Sequence, residues 1–330
     1  MRRLINFSGD VSFISHASVG GGEERLGPLG KSFDFISDDD RFGMSTWEAA
    51  EAEMMRLSLN LALKKGKIHR ELLEVLFAGD LENQCVATSS GLFGFGIPYI
   101  GLYSACSTAT EGLLLLASLI SGGCATLGAV VTGSHNSAAE RQFRMPVEYG
   151  GQRSPTAQWT ATAAGAFILG NGGKVKIKEG LIGKAIDGLT TDATNMGAAM
   201  ARAAADSIYT YFDISGRSVS EFDAIVTGDL GRLGSDILSE LLIKFVPGAE
   251  KIHLDCGKMI YGADQDAHSG GSGCGCSASV LSLEFLPKLE RGEYKNVLFL
   301  STGALMSPGS VLQGNNIVGI APVIRIESEK

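Results

Sequence analysis

Charge is sparse in this sequence. Asp, Glu, Lys and Arg together make up 19% of 330 residues, and proline occurs only 8 times. Low charge with 45% hydrophobic residues excludes a disordered chain, which cannot bury enough apolar surface to offset its ordering entropy. Cations are outnumbered, 28 against 36, for a net charge of −8. No broad basic face for nucleic acid is expected, although a small basic pocket for an anion remains open. Six cysteines, at positions 85, 106, 124, 256, 274 and 276, are too scattered for a disulfide framework and read as reduced thiols. The start, MRRLINFSGDVSF, has no apolar run of signal-peptide length, so no export signal is expected. Glycine is abundant, at 44 residues, but has no period of three, which excludes a collagen-like chain.

Residues 112–139 carry no charged side chain, which invites a transmembrane reading. Gly122-Gly123 cuts that run short, and an apolar strand-like segment follows from Ala125. Helix, turn and strand are expected there, not a span. Metal and nucleotide motifs also fail. His253, Asp255, Cys256, Asp264, Asp266, His268, Cys274 and Cys276 lie close together, but only Cys274 and Cys276 form a close pair, so no metal is expected. Residues 27–32 resemble the tail of a P-loop, but Arg25 stands where its first glycine belongs. The glycines around 271–275 miss G-x-G-x-x-G because Cys276 takes the last place. No cofactor is expected.

What the sequence does contain is a weak internal duplication. VLFAGDL at 75–81 matches AIVTGDL at 224–230, and each follows a helix-like segment, about 45–64 and 196–212. The first is opened by Ser45 and Glu48 at capping-box spacing. Ala-Cys-Ser at 105–107 matches Gly-Cys-Ser at 275–277, and the leucine pattern that follows Cys106 returns after Cys276 with charges interspersed. A membrane span would have no such charged twin. Late strand pairs are expected at 163–169 with 174–178, and at 298–300 with 317–326. The expected architecture is α/β, two similar halves around a pseudo-twofold axis with the apolar helix at 112–120 in the middle. The halves are residues 1–175, with a cap loop at about 140–160, and residues 176–330. Asp80 and Asp229 occupy duplicate positions and are expected to cap the helices that follow them.

Cys106 falls between an apolar strand, 99–102, and the leucine-rich helix. A thiol at a helix N-terminus is a candidate nucleophile for a thioester, or simply a small buried side chain. A duplicated α/β chain with Cys at the central helix start is similar to the thiolase and ketoacyl-synthase superfamily, which implies a five-layer αβαβα sandwich and a homodimer. Those enzymes use a His and an Asn in loops of the second half to stabilise the thioester oxyanion. Here the corresponding loops offer Asp229 and Ser272, and the spacing of His268 does not match. The late loop TGALMSP, with Gly303, resembles the retained pocket wall. The resemblance implies a fold whose catalytic set has been dismantled.

A narrower resemblance follows. GPLGKSFD, FAGDLENQ, SACSTATEG, SHNSAAERQFRMPVEYGGQ, DCGKMIY, GGSGCGCSA and TGALMSP are similar, collinearly from about 27 to 326, to the stage V sporulation protein AD family. The resemblance implies a non-catalytic protein that binds dipicolinic acid, pyridine-2,6-dicarboxylate. It implies work with small membrane proteins of the same operon in loading the developing spore, and a peripheral place on the inner spore membrane. A flat dianion needs cationic or N–H donors beside an apolar slot. Candidate contacts are Cys106, His135, Asn136, Arg141, Arg144, Ser272, Gly273 and Gly303. Arg141 and Arg144 share a helix face, though each has a glutamate nearby with which it would pair instead. Arg153 follows them in a loop. The competing expectation is an acyltransferase using Cys106, which requires a thiolate of lowered pKa.

Overall fold

The computed structural model describes residues 3–143 and 152–329. Strands alternate with helices along the chain, and the strands form two sets of five with the same order. In the first set the order is Tyr99–Gly101, Val75–Gly79, Gly128–Ser134, Ala163–Gly170, Ser12–Gly20. In the second it is His253–Asp255, Ala224–Thr227, Asn296–Leu300, Val323–Ser328, Val175–Leu181. The duplicated segments at 75–81 and 224–230 therefore supply equivalent strands. The sets join through a short antiparallel contact, Ser12 with Lys176 and Phe13 with Val175. The strand Val175–Leu181 pairs with Val323–Ser328 and holds the place that Ser12–Gly20 holds in the first set. It is not the partner of Ala163–Gly170 that the sequence suggested.

Alternation along the strands builds the layers. Ala129 and Val131 face an outer core with helix Trp47–Gly66, whereas Val130 faces a central core. In the second set Leu298, Leu300 and Val323 face helices Met196–Ser215 and Gly231–Phe245. Val297, Phe299, Ile324 and Ile326 face the centre. The central layer holds helix Thr108–Ser121 and the segment Cys274–Glu290, which is helical with a π-turn over Leu281–Phe285. The result is the expected five layers, αβαβα. The uncharged stretch is explained by position, since Leu113, Leu116 and Ala117 are fully buried between the two sheets. Among the described residues no helix is long and apolar enough to cross a membrane.

Two local details differ from expectation. Helix Trp47–Gly66 is capped by Thr46, whose hydroxyl accepts from the Ala49 N–H at 3.2 Å, not by Ser45. Asp229 does not cap helix Gly231–Phe245. Asp255 does so, accepting from the N–H groups of Leu230 at 2.8 Å and Gly231 at 2.9 Å. Asp80 caps as expected, accepting from the Thr88 N–H at 2.7 Å at the start of helix Val86–Leu92.

Candidate functional site

Four loops meet where the central helices begin. Cys106 sits in the tight turn Ala105–Ser107 that leads into helix Thr108–Ser121. The residue before it, Ala105, has φ +49°, a left-handed conformation that costs an L-residue energy and aims the next side chain inward. The Cys106 thiol lies 3.9 Å from the Ser272 hydroxyl. Ser272 ends the short strand Gly271–Ser272, which pairs with Trp159–Thr160. Gly273 follows with φ +101°, and a Cβ there would meet the Ser134 hydroxyl at 2.5 Å, so only glycine suits the position.

Asp229, free of a capping role, is the hub. It is fully buried. Its carboxylate accepts from the Thr302 hydroxyl at 2.7 Å, the Gly273 N–H at 2.9 Å and the Ser272 hydroxyl at 3.2 Å. Burial pushes its pKa up to about 6, although these bonds and one from Cys106 oppose the rise. Its charge acts in turn on the cysteine. Burial, and then the neighbouring Asp229 carboxylate, hold the Cys106 thiol well above its ordinary pKa. Both effects disfavour the thiolate that a nucleophile would need.

No histidine lines this site among the described residues. His16 meets Ser282 and Glu290, and His253 meets Thr227. His268 meets Ser154 and Asp266. His135 is fully buried, with Nε2 donating to the Asp40 carbonyl at 2.8 Å and its ring against Trp47.

Above Cys106 lies a cavity of about 220 Å³, walled by Leu81, Ala105, Ser272, Ala304 and Met306 and by Arg153, Gln158, Thr160 and Glu140. It continues outward into a shallower hollow edged by Tyr103 and Ser307. Of the residues singled out in the sequence, Cys106 and Ser272 line the cavity directly. Gly273 and Gly303 support it from behind. Gly273 donates to Asp229, and Gly303 is pressed against Ser104 and Ser107. The structure does not bring His135, Asn136 or Arg141 to the lining. Asn136 donates to the Thr160 carbonyl at 3.2 Å, and Arg141 pairs with Glu48. Residues 144–151 of the expected cap loop, Arg144 among them, lie outside the described residues. Arg153 and Gln158 were not selected from sequence. Arg153 was visible only as one more loop arginine, and nothing in the local pattern points to Gln158.

Comparison with solved structures shows the same fold. A histidine-to-aspartate variant of Xanthomonas campestris OleA aligns with a TM-score of 0.61 at 13% identity, covering 98% of this chain and 99% of the other. Cerulenin-bound OleA from the same organism aligns at 0.62 and 15%, covering 97% and 100%. A cysteine-to-serine variant of that OleA, with bound lauric acid and lauroyl-CoA, aligns at 0.60 and 13%, covering 97% and 99%. Stage V sporulation protein AD of Bacillus subtilis (strain 168) is 39% identical over 311 residues, 94% of this chain and 92% of that protein. The family model for stage V sporulation protein AD matches residues 1–327. The chain, with its thiolase-like layers, belongs to the stage V sporulation protein AD family.

Proposed function

We propose that this protein is a non-catalytic carrier that holds pyridine-2,6-dicarboxylate in the cavity above Cys106 and supplies it to the developing spore. The observation that carries this reading is the cavity, lined by Cys106 and Ser272 and, among the described residues, by no histidine. Burial and Asp229 disfavour the Cys106 thiolate, and Ser272 stands beside it, which suits a wall better than a nucleophile. The cavity is largely apolar with a few polar groups, which suits a flat aromatic acid. Membrane attachment through small membrane proteins of the same operon, at the inner spore membrane, belongs to the same reading.

A homodimer also belongs to it. Strand Tyr99–Gly101 is a sheet edge paired on one side only, all three of its residues are exposed, and Phe93 and Tyr103 beside it are 82% and 58% exposed. Such an edge calls for cover, and a second copy provides it. Light scattering should give twice the mass of the chain, falling to one chain in Ile100→Lys. An unchanged mass in that variant would remove this edge from the interface.

Calorimetric titration tests the main reading. Saturable binding of pyridine-2,6-dicarboxylate, at least about tenfold tighter than pyridine-2-carboxylate, is expected. The acyltransferase reading keeps one supporting observation, the placement of Cys106 at a helix start. It predicts an acyl adduct on Cys106 after incubation with a thioester, visible by mass spectrometry, and no binding of the dicarboxylate.

A further inference from the structure

Arg153 is an unusual member of the cavity wall. Its side chain is nine-tenths buried. Its guanidinium lies over the ring of Trp159, 4.6 Å from the centroid. At one end, Nη2 donates to the Asp266 carbonyl and lies 3.3 Å from the Asp266 carboxylate. Asp266 is held in turn by His268 Nε2 at 2.8 Å, and His268 Nδ1 meets the Ser154 carbonyl at 2.7 Å, next to Arg153 itself. The ring face and one end of the fork are therefore fixed. The other end, Nη1, is fully buried and has no partner among the described residues. In the same cavity wall Gln158 is locked by its amide, which donates to the carbonyls of Asp229 at 2.6 Å and Gly271 at 2.8 Å. Its Oε1 is likewise buried and unpartnered among the described residues.

A buried cationic N–H without an acceptor is costly, and a fork fixed over the Trp159 ring and at Nη2, with its buried Nη1 unpaired on a residue of the cavity wall, is pre-organised for an anion. Resting on the function proposed above, we infer that Arg153 is the carboxylate anchor of the cavity and sets its preference for acids over neutral analogues, with Asp266 as its positioning residue. Nη1 donates to one carboxylate oxygen of the ligand. The flat ring then lies toward the apolar wall formed by Leu81, Ala304 and Met306. A lysine cannot reproduce this contact, because it lacks the planar fork and the stacking surface.

The test is titration of the native protein, Arg153→Gln, Arg153→Lys and Asp266→Asn with pyridine-2,6-dicarboxylate and with the neutral pyridine-2,6-dicarboxamide. Native protein should prefer the diacid. Arg153→Gln should weaken the diacid about ten- to hundredfold and erase the preference over the diamide. Arg153→Lys should also lose affinity, and Asp266→Asn should weaken the diacid several-fold while leaving the diamide unchanged. The ratio of the two ligands separates an anchor from a residue that only supports the fold. If Arg153→Gln does not fold, the same ratio is read from Arg153→Lys. Diacid binding and an unchanged ratio in the Arg153 variants would overturn the anchor and leave the proposed function standing. Native protein that binds neither compound would overturn both.

Discussion

At the scale of single residues, the fate of Cys106 is decided by its neighbours and not by its place on a helix. The dipole at a helix start contributes about 0.3–2 kcal/mol to a negative group. Burial and the adjacent Asp229 carboxylate both act the other way and favour the protonated thiol. Iodoacetamide at pH 7.5 should therefore modify Cys124, the exposed cysteine, and leave Cys106 intact, as peptide mass spectrometry will show. Rapid alkylation of Cys106 in folded protein would mean that the thiolate is available after all. The same neighbours explain what was hidden in the sequence. Asp229 looked like a helix cap because, like its twin Asp80, it falls just before a helix in the duplicated segment. Nothing local announces that Asp255, from another strand, takes over the capping and turns Asp229 toward Cys106. His135 and Arg141 had the right chemistry for an anion, but Asp40 and Glu48 occupy them.

At the scale of elements, the duplicated strand and Cys-Ser motifs made the two sets of strands legible, and the leucine spacing made the central helices legible. Strand Ser12–Gly20 was not. It is rich in serine, yet Ser12, Ser15, His16 and Ser18 are all buried. Each is satisfied by a distant or flanking partner, such as the Ala62 carbonyl for Ser15 and Asp34 for Ser18. A polar strand in the core has no alternating pattern to betray it. The loop at 269–275 was legible as glycine-rich, and its geometry shows why. Gly273→Ala forces a Cβ against Ser134 in a left-handed backbone. It should destabilise the protein by about 1–3 kcal/mol in urea unfolding and weaken ligand binding as the Asp229 contact shifts. A neutral effect would show that the loop relaxes freely.

At the scale of the whole molecule, buried acids outside ion pairs give the fold a pH signature. Burial raises Glu24, Glu82 and Asp255 to about 7 and Asp229 to about 6, and pushes Glu51 well up beside Asp80 and Glu82. An acid with a folded pKa above its unfolded value binds its proton more tightly in the native state. Its stabilising contribution is complete below the unfolded pKa and is lost as pH rises through the folded one. His253, lowered to about 4, and His135, lowered by burial, act in the opposite sense as pH rises toward their ordinary value near 6.5. The acids are more numerous, and the buried thiols add to the alkaline loss. The melting temperature should fall by several degrees between pH 6 and pH 9, and Glu82→Gln should flatten that slope. A melting temperature that climbs over this range would show that these carboxyls ionise without penalty.

The proposed function makes Cys106 part of the floor of a binding cavity. The most direct test compares the titration of pyridine-2,6-dicarboxylate into native protein and into Cys106→Ser. If the thiol only lines the wall, the variant keeps its affinity within about tenfold, or 1.4 kcal/mol. Complete loss of binding in a variant that melts like the native protein would contradict the account and give the sulfur a direct part in the function.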